Sequence, residues 1–414
     1  MLQIAVMGHG IVGSGVLEVF YKNLVGMERK TGKEMDIKYI LDLRDFPGLP
    51  YSYKFIKDFE TIINDDEISI VVELMGGLEP AFTYVRRCLE AGKSVVTSNK
   101  ELVAEKGAEL LRVAQKNDVN FFFEASVGGG IPIIRPLHAC LVANEIELIA
   151  GILNGTTNFI LTKMIHEKMG FSAALELAQN LGYAEKNPSA DVGGLDACRK
   201  ICILASLAFG KHIYPNEVHT EGITNITHED VEYAKVWGGV IKLIAIASRL
   251  PEGKISVMVS PAFVEAESQL AGVENVFNAV LVRGDATGEV VFYGRGAGKL
   301  PTASAVVADI IDAANAEHNT ALLHWEDNAK KDYVADCENL PVKLYVRVGY
   351  DNFDKALKVI NDVIGRVKPI YRSGVEDEFA FIFKARTEKE AKKMLLELSD
   401  EGLTVLGRIR VLEI

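Results

Sequence analysis

The N-terminal stretch confines the fold more than any later one. Leu2-Gln-Ile-Ala-Val-Met7 is a short apolar run, Gly8-His9-Gly10-Ile11-Val12-Gly13 follows at once, and a helical pattern continues through Tyr21. The order is strand, glycine turn, helix. Glycines at these positions permit a tight turn, close approach to a pyrophosphate and close packing of helix on strand. The motif alone is weak evidence, but between a strand and a helix it implies a dinucleotide at a helix N-terminus.

Strand-like runs at 36–43, 68–74, 94–97 and 119–124 alternate with helical patterns at 79–91 and 104–117. This alternation predicts an α/β fold with a Rossmann-type, doubly wound parallel sheet. Residues 23–34 read as an inserted polar loop, which lengthens the interval from Gly13 to the end of the second strand. That strand end offers Asp42, suited to the ribose 2′-hydroxyl of NAD, and Arg44, suited to the 2′-phosphate of NADP. Both cofactors stay open.

From 133 the pattern changes to a mixed α+β substrate and dimerisation domain, with an apolar run at 145–153, helices at 157–168, 172–180 and 195–210, and strands at 255–259 and 276–281. A second glycine turn, Gly294-Arg-Gly-Ala-Gly298, precedes a small-residue helix through Ala314 that is expected to return to the first domain. Residues 340–414 read as a βαββαβ ferredoxin-like module, with strands at 342–348, 367–371, 378–384 and 404–412 and helices at 354–364 and 388–398. The expected domains are therefore 1–132 with 301–339, then 133–300, then 340–414.

A chain of 414 residues fits two to four such domains. A net charge of −12 argues against nucleic-acid and anionic-membrane partners and favours small-molecule chemistry. The N-terminus shows no signal segment and no apolar run approaches a bilayer span, so a cytoplasmic location is expected. Five scattered cysteines without a C-x-x-C frame read as buried thiols, and none sits in a context that would activate a nucleophile.

Residues 181–200 gather the chemistry. Glu185, Asp191, Asp196 and Lys200 surround a Gly/Pro-rich loop entering an apolar helix, and Asp196 and Lys200, four apart, share one helical face. Taken alone, that pair reads equally as an exposed ion pair worth a few tenths of a kcal/mol. The apolar run after Lys200 argues instead for a buried helix, where charges need a partner or a purpose. Lys100 follows the strand ending Thr97-Ser98-Asn99, where doubly wound folds place reacting groups, or else is a solvated helix-start lysine. The Gly-Gly-Gly after Val127 leaves carbonyls for a hard cation, or makes a bend. Asn154-Gly-Thr-Thr-Asn158 offers amides and hydroxyls for a carboxylate, or a simple N-cap.

Six segments in order carry a family resemblance: Gly8-His-Gly-Ile-Val-Gly13, Val95-Val-Thr-Ser-Asn-Lys100, Phe123-Glu-Ala-Ser-Val-Gly-Gly-Gly-Ile-Pro132, Gly151-Ile-Leu-Asn-Gly-Thr-Thr-Asn158, 181–200, and Gly296-Ala-Gly298 with Pro301-Thr-Ala. Over some 300 residues the chain resembles homoserine dehydrogenase. The resemblance implies reversible oxidation of L-homoserine to L-aspartate 4-semialdehyde with NAD or NADP, in the route to threonine and methionine. It implies Lys200 as general acid/base, assisted by Lys100 and ordered by Asp196. Glu185 would hold the substrate ammonium, with Asp191, Gly155, Thr156 and Tyr183 also at the substrate. Gly8, Gly10, Ile11, Val12, Gly13, Arg44, Met75, Ser98, Lys100, Gly182 and Gly296 would meet the cofactor. Glu124, Val127, Gly129 and Ile131 would hold a monovalent cation, sodium or potassium, largely by backbone carbonyls. A homodimer or higher homo-oligomer is expected.

Two departures stand out. Asn187 replaces an aspartate common before the proline in bacterial relatives, while Glu185, Asp191, Asp196 and Lys200 all match. The C-terminal module resembles an ACT domain in layout, but its first turn, Gly349-Tyr-Asp-Asn-Phe353, lacks the Asp-x-Pro-Gly pattern of amino-acid-binding members. Threonine feedback is therefore not expected, and a structural or dimer-forming part competes with a regulatory one. A sensor that retains the dehydrogenase fold for binding alone is the other reading, and intact Lys100 and Lys200 speak against it.

Overall fold

The computed structural model describes every residue except 252, 317 and 319–322. It divides into two compact units, one of Met1–Ile146, Arg199–Glu217 and Arg283–Lys331, the other of Glu147–Cys198, Val218–Val282 and Asp332–Ile414.

The first unit opens with β1 (Leu2–Met7), α1 (Ile11–Thr31), β2 (Met35–Leu41), β3 (Phe55–Ile56), α2 (Glu60–Ile63), β4 (Ile68–Glu73), α3 (Ala81–Glu90), β5 (Ser94–Thr97), α4 (Lys100–Lys116) and β6 (Phe121–Phe122). The strands order as β3-β2-β1-β4-β5-β6, with all five neighbouring pairs parallel. Sequence order reverses at β1 and β4, the switch point where such sheets leave a crevice at their carboxyl ends. The apolar runs of β1 and β4 are buried along most of their length because helices cover both faces.

The expected loop at 23–34 is corrected: α1 runs to Thr31 and stops at Gly32, whose φ of 67° caps it in the left-handed conformation. Lys, Glu and Arg are good helix formers, and polarity there marks the solvent face of a helix rather than its absence.

Onward come β7 (Ile146–Ile152), α5 (Gly155–Glu167), α6 (Phe171–Asn180), α7 (Ser189–Val192), α8 (Leu195–Phe209), β8 (His219–Thr220), α9 (His228–Trp237), β9 (Gly239–Arg249), β10 (Ile255–Glu265), β11 (Phe277–Gly284), β12 (Gly288–Arg295) and α10 (Lys299–Asn315). The chain closes with β13 (Val342–Gly349), α11 (Phe353–Val363), β14 (Glu378–Ala385), α12 (Glu388–Asp400) and β15 (Thr404–Leu412). The second sheet is mixed and runs β12-β11-β7-β9-β10-β15-β13-β14, with β8 also on β10. Its centre, β9, is a nearly continuous apolar run that periodicity alone does not assign to strand or helix. Helix α10 packs against α1 within the first unit, where a Cβ on Gly15 would lie 2.8 Å from Lys299 O.

The C-terminal segment also needs correction. Residues 367–371, expected as a strand, make one isolated bridge, Ile370 to Ala380, so the element order is βαβαβ. Arg366, Lys368 and Pro369 interrupt the apolar run, and proline removes a ladder donor. Strand β15 pairs in parallel with β10 at Ala262–Arg410, so this segment continues the second sheet. Its own core is a cluster around Leu344, Val346, Phe379 and Phe381.

Candidate active site

In the first unit the glycine turn lies at the end of β1. Gly8 has φ 100°, and a Cβ there would sit 2.8 Å from Leu74 O; a Cβ on Gly13 would sit 2.2 Å from Gly8 O. Gly10 is the N-cap of α1, with no side-chain cap and open space on the side where a Cβ would project, which leaves the first N–H groups of α1 open to an anion. A cavity of about 400 Å³ here is lined by Gly8, Gly10, Asp42, Arg44, Lys57 and Met75, among others. Ile11 is exposed beside it in sequence, Val12 half-buried and Gly13 buried.

The Asp42 carboxylate accepts from the His9 N–H at 2.8 Å, from the Arg44 N–H at 2.9 Å, and from Arg44 Nε and Nη2 at 3.0 and 2.8 Å. The bidentate Arg44 guanidinium, against the opposing effect of partial burial, holds Asp42 well below the usual carboxylate range. Both residues that compete for the ribose are therefore paired with each other.

Glu73, absent from the sequence-based candidates, orders the loop after β4. Fully buried, it accepts from the Met75 and Gly76 N–H groups at 2.8 and 3.3 Å and from the Thr97 hydroxyl at 2.6 Å, and burial pushes its pKa up. Thr97 Oγ1 in turn accepts from the Asn99 N–H at 2.9 Å, and Asn99 caps α4 at Leu102. Lys100 is thereby the first residue of a capped helix, half-buried, with half-buried Ser98 just before the cap. Apolar context hides such an acid in a sequence; only its place at a strand end hints at it.

The glycines after Val127 belong to a tight turn. A Cβ on Gly128 would lie 2.2 Å from Ile131 O, and one on Gly129, at φ 56°, would lie 2.4 Å from the carbonyl of the buried Gly296. Glu124, Val127, Gly129 and Ile131 are all buried. The Glu124 carboxylate accepts from the N–H groups of Ile133, Ile134 and Arg135 at 2.6 to 2.9 Å. Its side chain thus holds the following chain segment.

In the second unit, Asn154 caps α5, accepting from the Thr157 N–H at 2.8 Å, and its amide donates to Asp191 and Asp196 at 2.7 and 2.9 Å. Thr156 Oγ1 donates to Tyr183 O at 2.6 Å, and the Tyr183 ring meets Phe159 edge-on. Gly155 has no room for a side chain, since a Cβ would lie 2.8 Å from Val276 O. Asn154, Thr156, Tyr183, Asp191 and Asp196 are thus one cluster. Gly182 has φ 74° in an exposed turn, and Glu185 is exposed, its carbonyl accepting from Gln179 Nε2 at 3.0 Å. Helix α8 begins in this unit and continues into the first, so Asp196, at 4% exposure, belongs to the second unit and Lys200, one turn on at 6% exposure, to the first.

Among the described residues, one set has metal-ligand spacing, His219, Glu221 and Glu388. The Arg410 guanidinium already lies 2.6 to 3.0 Å from all three, which makes it a charge-compensated lock. Of the thiols, Cys88, Cys198 and Cys202 are buried, and burial pushes Cys88 up to about 12; against expectation, Cys140 is exposed and Cys337 only half-buried.

A Rossmann-type parallel sheet with an open glycine turn at its switch point defines a dinucleotide-binding protein. Comparison with known proteins specifies which. The family description "Homoserine dehydrogenase, NAD binding domain" matches residues 8–124, and "Homoserine dehydrogenase" matches 132–311. The homoserine dehydrogenase of Synechocystis sp. is 42% identical over 359 residues, 84% of this chain and 82% of that protein. A solved homoserine dehydrogenase from Thiobacillus denitrificans shares 36% identity with a TM-score of 0.89, covering 100% of this chain and 98% of that one. A hyperthermophilic archaeal homoserine dehydrogenase mutant in complex with NADPH shares 30% identity with a TM-score of 0.66, covering 77% and 99%.

The chain belongs to the homoserine dehydrogenase family. It interconverts L-homoserine and L-aspartate 4-semialdehyde with NAD(P). No helix among the described residues is long and apolar enough to cross a membrane.

Proposed function

We propose that Lys200 is the general acid/base of this reaction, and the observation that carries the reading is the burial of Asp196 and Lys200 together on the first turns of α8. Oxidation of the alcohol requires its hydroxyl proton to leave as the carbonyl forms, and reduction requires the same proton to return. Lys200 Nζ takes and returns that proton, and Lys100 assists at the same oxygen. A nicotinamide bound at the glycine turn supplies the hydride chemistry. Glu185 holds the substrate ammonium, Gly155 and Thr156 sit near its carboxylate, and Asp191 with Asp196 orders the lysine.

For the cofactor, Gly8, Gly10 and Gly13 with the open N-terminus of α1 receive the pyrophosphate. Because Arg44 occupies both oxygens of Asp42, and Lys57 lines the same cavity, the rim favours a 2′-phosphate, as in the NADPH complex of the archaeal relative. Backbone carbonyls of Glu124, Val127, Gly129 and Ile131 hold sodium or potassium, consistent with a Glu124 carboxylate already committed to three N–H groups. The segment 340–414 is ACT-like and structural, and the protein works as a homodimer in the cytoplasm.

Steady-state kinetics with NAD and NADP, with and without threonine, test this reading. A kcat/KM preference for NADP is expected, cut about tenfold by Arg44→Ala with NAD little changed, and threonine is expected to leave the rate unaltered; each lost charge-assisted contact is worth about 1.5 kcal/mol. NAD preference that survives Arg44→Ala overturns the cofactor assignment.

A further inference from the structure

Asn154 makes an arrangement that one residue type alone satisfies. It is buried at 5% exposure, at the end of the connection from β7, with φ −128° and ψ 115° before the first turn of α5. Its Oδ1 accepts from the Thr157 N–H at 2.8 Å. That bond decides which way the amide points, so Nδ2 faces the opposite side, where it donates to Asp191 Oδ1 at 2.7 Å and Asp196 Oδ2 at 2.9 Å. A carboxamide NH2 has two hydrogens, and here each goes to a different carboxylate.

Asn, Asp and Ser cap helices about equally well. Capping alone therefore does not require asparagine. Aspartate would keep the cap but present only acceptors to two carboxylates, serine would keep the cap but not reach them, and glutamine is a methylene too long for the N-cap geometry. The second task is what selects the amide.

We propose that Asn154 is a positioning residue for homoserine oxidation: by one amide it sets the separation of Asp191 and Asp196 and fixes both to the N-terminus of α5. This rests on the reading of Asp191, Asp196 and Lys200 as site residues. Three pieces of chain, α5, the loop carrying α7 and the first turn of α8, are referred to one side chain, and α8 carries Lys200 one turn beyond Asp196.

Asn154→Ser and Asn154→Asp separate this role from capping. The serine variant should keep its thermal transition and its NADPH dissociation constant, while kcat/KM for homoserine falls about 10–100-fold, with kcat lowered as well as KM raised; the net loss of one hydrogen bond to a charged group lies in that range. The aspartate variant places a third carboxylate against two, so its loss should be larger and the acidic limb of its kcat/KM profile should move to higher pH. A serine variant with wild-type kcat, KM and pH profile overturns the proposal, and so does one that loses its thermal transition, since the side chain is then structural only. Lys200→Ala and Asp196→Asn, assayed in parallel, keep the two claims apart. If those retain wild-type rates, the site reading fails; if they are impaired while Asn154→Ser is not, only the positioning role falls.

Discussion

Lys200→Ala is expected to lower kcat for homoserine oxidation by about 10²–10⁴-fold, the range for removing a positioned acid/base. The cofactor dissociation constant should stay within about twofold, since Lys200 lies on α8 and the dinucleotide turn on β1 and α1. A lysine at 6% exposure is held by its surroundings rather than sampling solvent, so water substitutes for it poorly. Stopped-flow measurement of NADPH formation, with fluorescence titration of cofactor binding, reads both quantities. A variant that binds cofactor normally and turns over at more than a tenth of the wild-type rate removes Lys200 from the proton path.

The largest expected effect on stability comes from Arg410→Met. Arg410 lies at 5% side-chain exposure on β15 and donates to Glu388 at 2.6 Å, pairs with Glu221 at 2.9 Å and lies 3.0 Å from His219. These partners are the start of α12 and the region of β8, so one guanidinium ties the C-terminal segment to the rest of its unit. Removing it leaves Glu388 buried and uncompensated, a change that typically costs about 3–5 kcal/mol. A predicted pH signature accompanies the loss. Burial works to raise the Glu221 pKa, but His219 and Arg410 prevail and hold it down to about 2 from 4.5. Because the folded value is the lower one, this stabilisation is complete above the unfolded value near 4.5 and is lost as pH falls toward 2. In Arg410→Met that acid-side loss should shrink. Urea unfolding at pH 7, 4 and 3 checks it, and a variant as stable as wild type at pH 7 contradicts the lock.

The chain is legible where local pattern and tertiary role coincide. Strand β1 and the glycine turn can be read because a Rossmann crossover forces those residue types at that spacing. Helix α1 beyond Tyr21 reads as a loop because a solvated helix face and a polar loop have the same composition. Strand β9 escapes assignment because a strand buried on both faces loses its alternation. At the site, the 181–200 stretch announces its charges, and the i, i+4 relation of Asp196 and Lys200 survives as two buried groups on α8. The part of Asn154 does not show, because an N-cap asparagine is sufficiently explained by its own helix, and Asp191 and Asp196 lie 37 and 42 residues away. Glu73 is hidden for a similar reason, its partners being backbone amides and a hydroxyl that any strand end offers.

The most direct test compares L-homoserine with 4-hydroxybutyrate, which keeps the alcohol and carboxylate but lacks the ammonium assigned to Glu185. With the purified protein and saturating NADP, homoserine-dependent NADPH formation is predicted, with kcat/KM for 4-hydroxybutyrate lower by about 10²-fold or more, because the site's acids are then left unpaired. Equal use of the two alcohols would contradict the assigned recognition, and no homoserine-dependent reduction with either NADP or NAD would contradict the account as a whole.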